Sequence, residues 1–237
     1  MGRAYQNRKE SMAKTADMKS KIYSRYGREI YVCAKSGGVE PEGNLALRNL
    51  IDKAKKEQVP AHVIQKALDK AAGGGGEDYS PARYEGFGPG NIMVIVECLT
   101  DNPNRTFSEM RICFNKTKSK LGTQGTVAHM FDHGALFVFS GDEEAAMEAL
   151  MEADVELIDI EESDGKVTAV TAHTDYYKAK TALEAAFEGV EFDMDEIQFL
   201  PKETTPVPEE DREMFEKLLD MLNDVDDVQN VYHSGEL

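Results

Sequence analysis

Four consecutive glycines, Gly73 to Gly76, divide this chain. Glycine pays the largest conformational entropy on ordering, so such a run reads as a flexible linker and a domain boundary. The pattern of apolar residues changes across it. Before the glycines, apolar side chains recur at helical spacing. After them, β-prone runs alternate with helical ones.

Ahead of the linker, Ile22, Tyr26, Ile30 and Cys33 share one helical face and predict a helix over 14–36. Lys14, Lys21, Arg25, Arg28 and Lys35 fall opposite, within about 80° of arc at 100° per residue, interrupted by Val32. Gly37 and Gly38 stop this helix. Asn44 suits the N-cap of a second helix of about 14 residues. Its inward side is Leu47, Leu50, Ile51 and Ala54, and its outward side is Arg48, Lys53, Lys55 and Lys56. Val59 and Pro60 break that helix and open a third, with Ile64, Ala67, Leu68 and Ala71 facing inward. Residues 1–13 are polar and basic without periodicity, and read as an arm that is mobile until bound. The expected first domain is therefore 1–76, a basic helical bundle with its linker.

Beyond the linker, Ile92 to Leu99 predicts a strand, residues 104–118 a helix, and Gly125 to Phe131 a further strand. A complete unit follows: strand 135–140, helix 142–153, strands 155–160 and 166–171 joined at Ser163-Asp164-Gly165, helix 174–187 and strand 191–199. This βαββαβ order is the ferredoxin-like pattern. Helix 209–223 and strand 228–232 close the chain. The expected class is α+β: the helical bundle, then a discontinuous α/β domain (77–133 plus 201–237), with an acidic ferredoxin-like domain inserted at 134–200. A single larger α+β domain is the alternative.

Charge is divided in the same way. Residues 1–72 hold 15 Lys and Arg against 8 Asp and Glu, whereas residues 126–237 hold 6 against 30. A basic module on an acidic body suggests a polyanion met at one end, with the remainder repelling that polyanion or free to meet a protein partner. The alternative is a basic solvated face without a partner. No apolar run approaches the roughly 20 residues of a membrane span, and no secretory signal is visible. Cys33, Cys98 and Cys113 are odd in number and far apart, which fits a reducing, cytoplasmic setting better than disulfides or a zinc ribbon.

Catalytic and cofactor motifs are not found. Gly86-Phe87-Gly88-Pro89-Gly90 precedes a strand and lacks dinucleotide-binding spacing, and no Walker-type sequence occurs. His129 and His133 are four apart but on a strand-and-turn segment, so no metal site is expected; His62, His173 and His233 read as surface residues. Glu143-Glu144 and Asp226-Asp227 read as solvated acid pairs. Gly122-Thr123-Gln124-Gly125, preceded by Lys116, Lys118 and Lys120, is either a phosphate-approaching GXXG loop or a simple glycine turn. The first module supplies the candidate phosphate contacts: Arg3, Arg8, Lys9, Lys14, Lys21, Arg25, Arg28, Lys35, Lys53, Lys55 and Lys56. Without a base-reading signature, backbone and shape recognition is the expected mode. Asn102, Asn104 and Arg105 form a second candidate surface, whose alternative reading is a helix N-cap.

Several stretches resemble the YebC/PmpR family: Ser20-Lys21-Ile22-Tyr23, Val59-Pro60, Arg83-Tyr84-Glu85-Gly86-Phe87-Gly88-Pro89, Thr100-Asp101-Asn102 with Asn104-Arg105-Thr106, and Asp226-Asp227-Val228-Gln229-Asn230-Val231-Tyr232-His233. The similarity covers nearly the whole chain. It implies the three-part fold just described, no enzymatic activity, no cofactor, and nucleic-acid contact. Within the family that contact is described as DNA binding in transcriptional regulation, or as action on the ribosome that relieves difficult stretches of translation. The resemblance leaves both DNA and rRNA open as partners. The opening Arg3-Ala4-Tyr5-Gln6-Asn7-Arg8-Lys9 lacks the Gly-His-Ser-Lys-Trp start common in the family and resembles a divergent paralogue branch.

Overall fold

The computed structural model of the protein describes residues 19–74, 76 and 78–237. The expected arm, with Arg3, Arg8 and Lys9, lies outside the described residues, as do Lys14 of the predicted first helix and Gly75 of the linker. In chain order the elements are α1 (Lys19–Gly37), α2 (Leu45–Lys56), α3 (Ala61–Ala72), β1 (Ser80–Phe87), β2 (Met93–Thr100), α4 (Pro103–Lys116) and β3 (Lys120–Leu121). There follow β4 (Phe131–Ser140), α5 (Glu143–Glu152), β5 (Leu157–Ser163), β6 (Lys166–Ala172), α6 (Tyr176–Ala186), β7 (Phe192–Pro201), α7 (Glu209–Asp224) and β8 (Val228–His233). Residues Ala128–Thr205 form one compact unit; Pro206–Gly235 and the described part of Thr15–Val127 form another.

The three N-terminal helices bury Ile30, Tyr31 and Ala34 of α1 against Leu47, Ile51 and Ala54 of α2 and Ile64 and Ala67 of α3. Asn44 fixes the first corner. Its Oδ1 accepts from the Leu47 amide at 3.1 Å, while its Nδ2 donates to the carbonyls of Cys33 and Gly38. One side chain thereby caps α2 and satisfies carbonyls at the end of α1.

In the same unit, an antiparallel sheet runs in the order β3-β1-β2-β8. Val94, Val96 and Cys98 of β2 turn one face toward Met110, Cys113 and Phe114 of α4 and Phe215, Leu218 and Leu222 of α7. Strand β1 has no counterpart in the sequence reading. Pro81, Arg83, Glu85 and Gly86 dilute its β-propensity, although Ala82 and Tyr84 alternate toward the core. Gly86 is dictated by close approach: a Cβ there would lie 2.4 Å from the Lys120 carbonyl oxygen and 2.7 Å from the Phe114 ring.

The segment from Gly125 to Phe131, expected as a strand, is instead a turn followed by a 3-10 turn at Ala128–Met130. Gly125 takes a positive φ of 89°, and the Gly125 and Val127 amides donate to the Glu85 carboxylate instead of to a neighbouring strand. Strand β4 begins only at Phe131 and then runs on to Ser140, longer than the 135–140 expected.

The unit Ala128–Thr205 carries the sheet order β5-β6-β4-β7, every neighbour antiparallel. Numbered within the unit that is 2-3-1-4, the ferredoxin-like order. Helices α5 and α6 share one face of it, with Ala146, Leu150, Ala179 and Leu183 packed on Phe137, Phe139, Val167 and Ala169. Asp164 and Gly165 both take positive φ (54° and 72°), the left-handed pair that matches the twist of a two-residue hairpin.

Candidate nucleic-acid interface

Lys21, Arg25, Arg28 and Lys35 of α1 gather on one side, as their arc requires, and Lys19 falls outside that arc. That side meets the turn between α7 and β8. Lys21 pairs with Asp224, Arg25 Nη2 donates to Asn230 Oδ1 at 2.9 Å, and Arg28 donates to Asp227 Oδ1 at 3.0 Å and to the carbonyl of Asp226. Lys35 pairs with Asp78 near the linker. These contacts differ in strength. Asp224 and Asp78 are largely exposed, so their lysines hold them weakly and in exchange with water. Arg28 is largely covered and its partner Asp227 is 1% exposed. Removing either member there would leave the other charge buried without its counter-ion.

Asp227 is the centre of this arrangement. Its carboxylate lies 2.7 Å from Arg105 Nη2, 2.7 Å from Thr106 Oγ1 and 3.0 Å from Thr100 Oγ1, in addition to Arg28. The expectation of a solvated Asp226-Asp227 pair is therefore corrected: Asp226 is exposed, Asp227 is not. Sequence adjacency hides the difference, because the two acids lie in a turn that aims Asp226 at solvent and Asp227 at Arg28, Arg105 and the Thr100 and Thr106 hydroxyls. Burial alone would raise this acid's pKa. The bonds from Arg105, then Thr106 and Thr100, outweigh it and hold Asp227 below the usual carboxylate range.

The second candidate surface is absorbed in part by the same network. Asn102 is the N-cap of α4, its Oδ1 accepting from the Arg105 amide at 3.2 Å. Arg105 is bound to Asp227 and, at 2.7 Å, to Asp101. Asn104 remains exposed on the helix.

On α2 and α3 the cations face solvent. Lys56 is exposed, Lys55 is exposed beside Asp52 at 3.5 Å, and Lys53 is half-buried. Arg48, Lys66 and Lys70 are also exposed. Lys70 Nζ lies 5.3 Å from the ring centre of Tyr31 and 5.9 Å from that of Tyr79. Lys66 and Lys70 were missing from the phosphate contacts expected of the sequence. Their spacing of four on the polar side of α3 was the available signal.

The Gly122–Gly125 loop already cradles an anion of the protein itself. The buried carboxylate of Glu85 accepts from the amides of Gly125 and Val127, both at 2.9 Å. The Gly125 amide is thereby spent on an internal acid, and the Gly122 amide donates to the Glu85 carbonyl at 2.8 Å, as in a structural turn. Among the described residues no group of three or more His, Cys, Asp and Glu is arranged to hold a metal. The His133 and His173 rings stack at 4.1 Å. His233, expected at the surface, packs edge-on against Phe215.

The chain thus carries a helical bundle, an antiparallel α/β layer and a ferredoxin-like unit that interrupts that layer in sequence. Residues 3–74 match the model of the TACO1/YebC protein N-terminal domain, and residues 79–235 match that of the TACO1/YebC second and third domain. The chain belongs to the TACO1/YebC family. It is 71% identical over its whole length to a "Probable transcriptional regulatory protein" of Marinobacter nauticus, of which it covers 99%. It is 62% identical to one so named from Vibrio vulnificus, with all of both chains covered. A crystal structure of a conserved hypothetical protein of Aquifex aeolicus superposes with a TM-score of 0.77 at 33% identity, over 93% of this chain and 92% of that one. No helix among the described residues is long and apolar enough to cross a membrane.

Proposed function

We propose that this protein is a non-enzymatic, cytoplasmic regulator of gene expression that binds DNA through the phosphate backbone. The observation that carries this reading is the set of exposed cations Arg48, Lys55, Lys56, Lys66 and Lys70 on α2 and α3, in a chain whose net charge is −17. Each phosphate they neutralise releases counter-ions, which drives binding without reading bases. The basic arm, with Arg3, Arg8 and Lys9, and Lys14 after it extend the same contact. Of the α1 cations, Lys21 and Lys35 can exchange an exposed carboxylate for a phosphate, whereas Arg28 is committed to Asp227. The acidic unit repels the polyanion and so orients the encounter.

Fluorescence anisotropy with labelled duplex DNA tests this directly. Affinity should fall about tenfold or more between roughly 50 and 200 mM salt. Replacing Lys55, Lys56, Lys66 and Lys70 together by Glu should abolish it while the circular dichroism spectrum is retained. Undiminished binding by that variant would refute the face. Binding to ribosomal particles in a low-salt sucrose gradient, with no retention of DNA, would move the assignment to rRNA.

A further inference from the structure

We propose that the exposed face of α4 is a separate contact for single-stranded nucleic acid, in which an unpaired base stacks on Phe107. The inference rests on the nucleic-acid reading above and narrows its ligand to a strand with unstacked bases.

Asn104, Phe107, Ser108 and Arg111 stand at i, i+3, i+4 and i+7 and therefore share one side of the helix. All four are exposed, and Phe107 keeps 47% of its surface in water. A phenylalanine so placed is unusual on a helix whose buried side is already filled by Thr106, Met110, Cys113 and Phe114. The ring does not stand alone. Tyr84 of β1 backs it at 6.4 Å between ring centres, inclined by 31°, and the Arg111 guanidinium lies 5.9 Å from its centre. The aromatic pair thus has a cation over the Phe107 ring, with Asn104 and Ser108 on the same side of the helix.

Charge selects the occupant. Residues 103–120 contain Arg105, Arg111, Lys116, Lys118 and Lys120 against the single acid Glu109. Glu109 lies roughly 160° around the helix from Phe107. Arg105 is held by Asp227, but Arg111, Lys116 and Lys118 are exposed and form no ion pair among the described residues. An apolar protein partner would gain from Phe107 and lose by covering three cations. A nucleic-acid strand uses both, since every base offers a π-face and every linkage a phosphate. A duplex cannot, because its bases are already stacked on one another.

The test uses full-length protein and three probes of equal length: single-stranded RNA, single-stranded DNA and duplex DNA, with 2-aminopurine in each strand. Wild type should quench the 2-aminopurine of a single strand. Phe107→Ala should weaken single-strand binding about tenfold or more and abolish the change in emission. Its duplex affinity should stay within about twofold of wild type, because phosphate contacts do not use the ring. Phe107→Trp should keep the stacking, and Arg111→Glu, at an exposed position, should weaken single-strand binding without touching the core. If wild type binds duplex but Phe107→Ala and Arg111→Glu bind single strands as wild type does, this inference is overturned and the function proposed above stands. If wild type binds none of the three, both fall.

Discussion

At the scale of single residues, Asp227 determines how much of the basic stripe on α1 is available. A carboxylate at 1% exposure survives only because two arginines and two threonine hydroxyls surround it. Asp227→Ala should destabilise the fold by about 3–5 kcal/mol, since Arg28 and Arg105 would lose a shared counter-ion; chemical denaturation measures this. The pH dependence has a definite sign. The folded pKa of Asp227 lies below its unfolded value, so its contribution is complete above the unfolded value, near pH 4, and is lost as pH falls through the folded one. Thermal midpoints of wild type should therefore drop on acidification below about pH 4 more steeply than those of Asp227→Asn. Parallel curves would show that other acids dominate.

At the scale of elements, the sequence is most legible where one period is sustained. The three N-terminal helices, the βαββαβ unit and α7 follow from apolar spacing, and Asn44 and Asn102 from their capping chemistry. Strand β1 was illegible because its place in the sheet depends on Gly86, whose function is to have no side chain. That dependence is measurable. Gly86→Ala should cost about 2–4 kcal/mol, because one of the two clashing groups is β3 backbone and the other a fully buried ring. A loss below about 0.5 kcal/mol would mean that β3 yields easily. The stripe on α1 shows the opposite limit of sequence reading. Helical geometry gives its arc, yet nothing local reveals that the residues facing it come from about two hundred positions further on.

At the scale of the whole molecule, charge is partitioned so that one condition acts in two directions. The unit Ala128–Thr205 holds 20 acidic against 4 basic residues, so it repels itself at low ionic strength. Raising salt from about 20 to 200 mM should raise the thermal midpoint of this unit by screening that repulsion, and over the same range should weaken nucleic-acid binding. Calorimetry and anisotropy on one preparation would show the opposed slopes; a midpoint that falls with salt would contradict the account.

The pairing of Arg28 with Asp227 also fixes an order of events at the ribosome. Asp224, Asp227 and Asn230 lie about two hundred positions beyond the α1 cations they meet. Until those positions have been made, the newborn chain presents a cationic helix to the RNA-rich machine that is making it, and only their arrival lets that helix withdraw behind the chain's own acids.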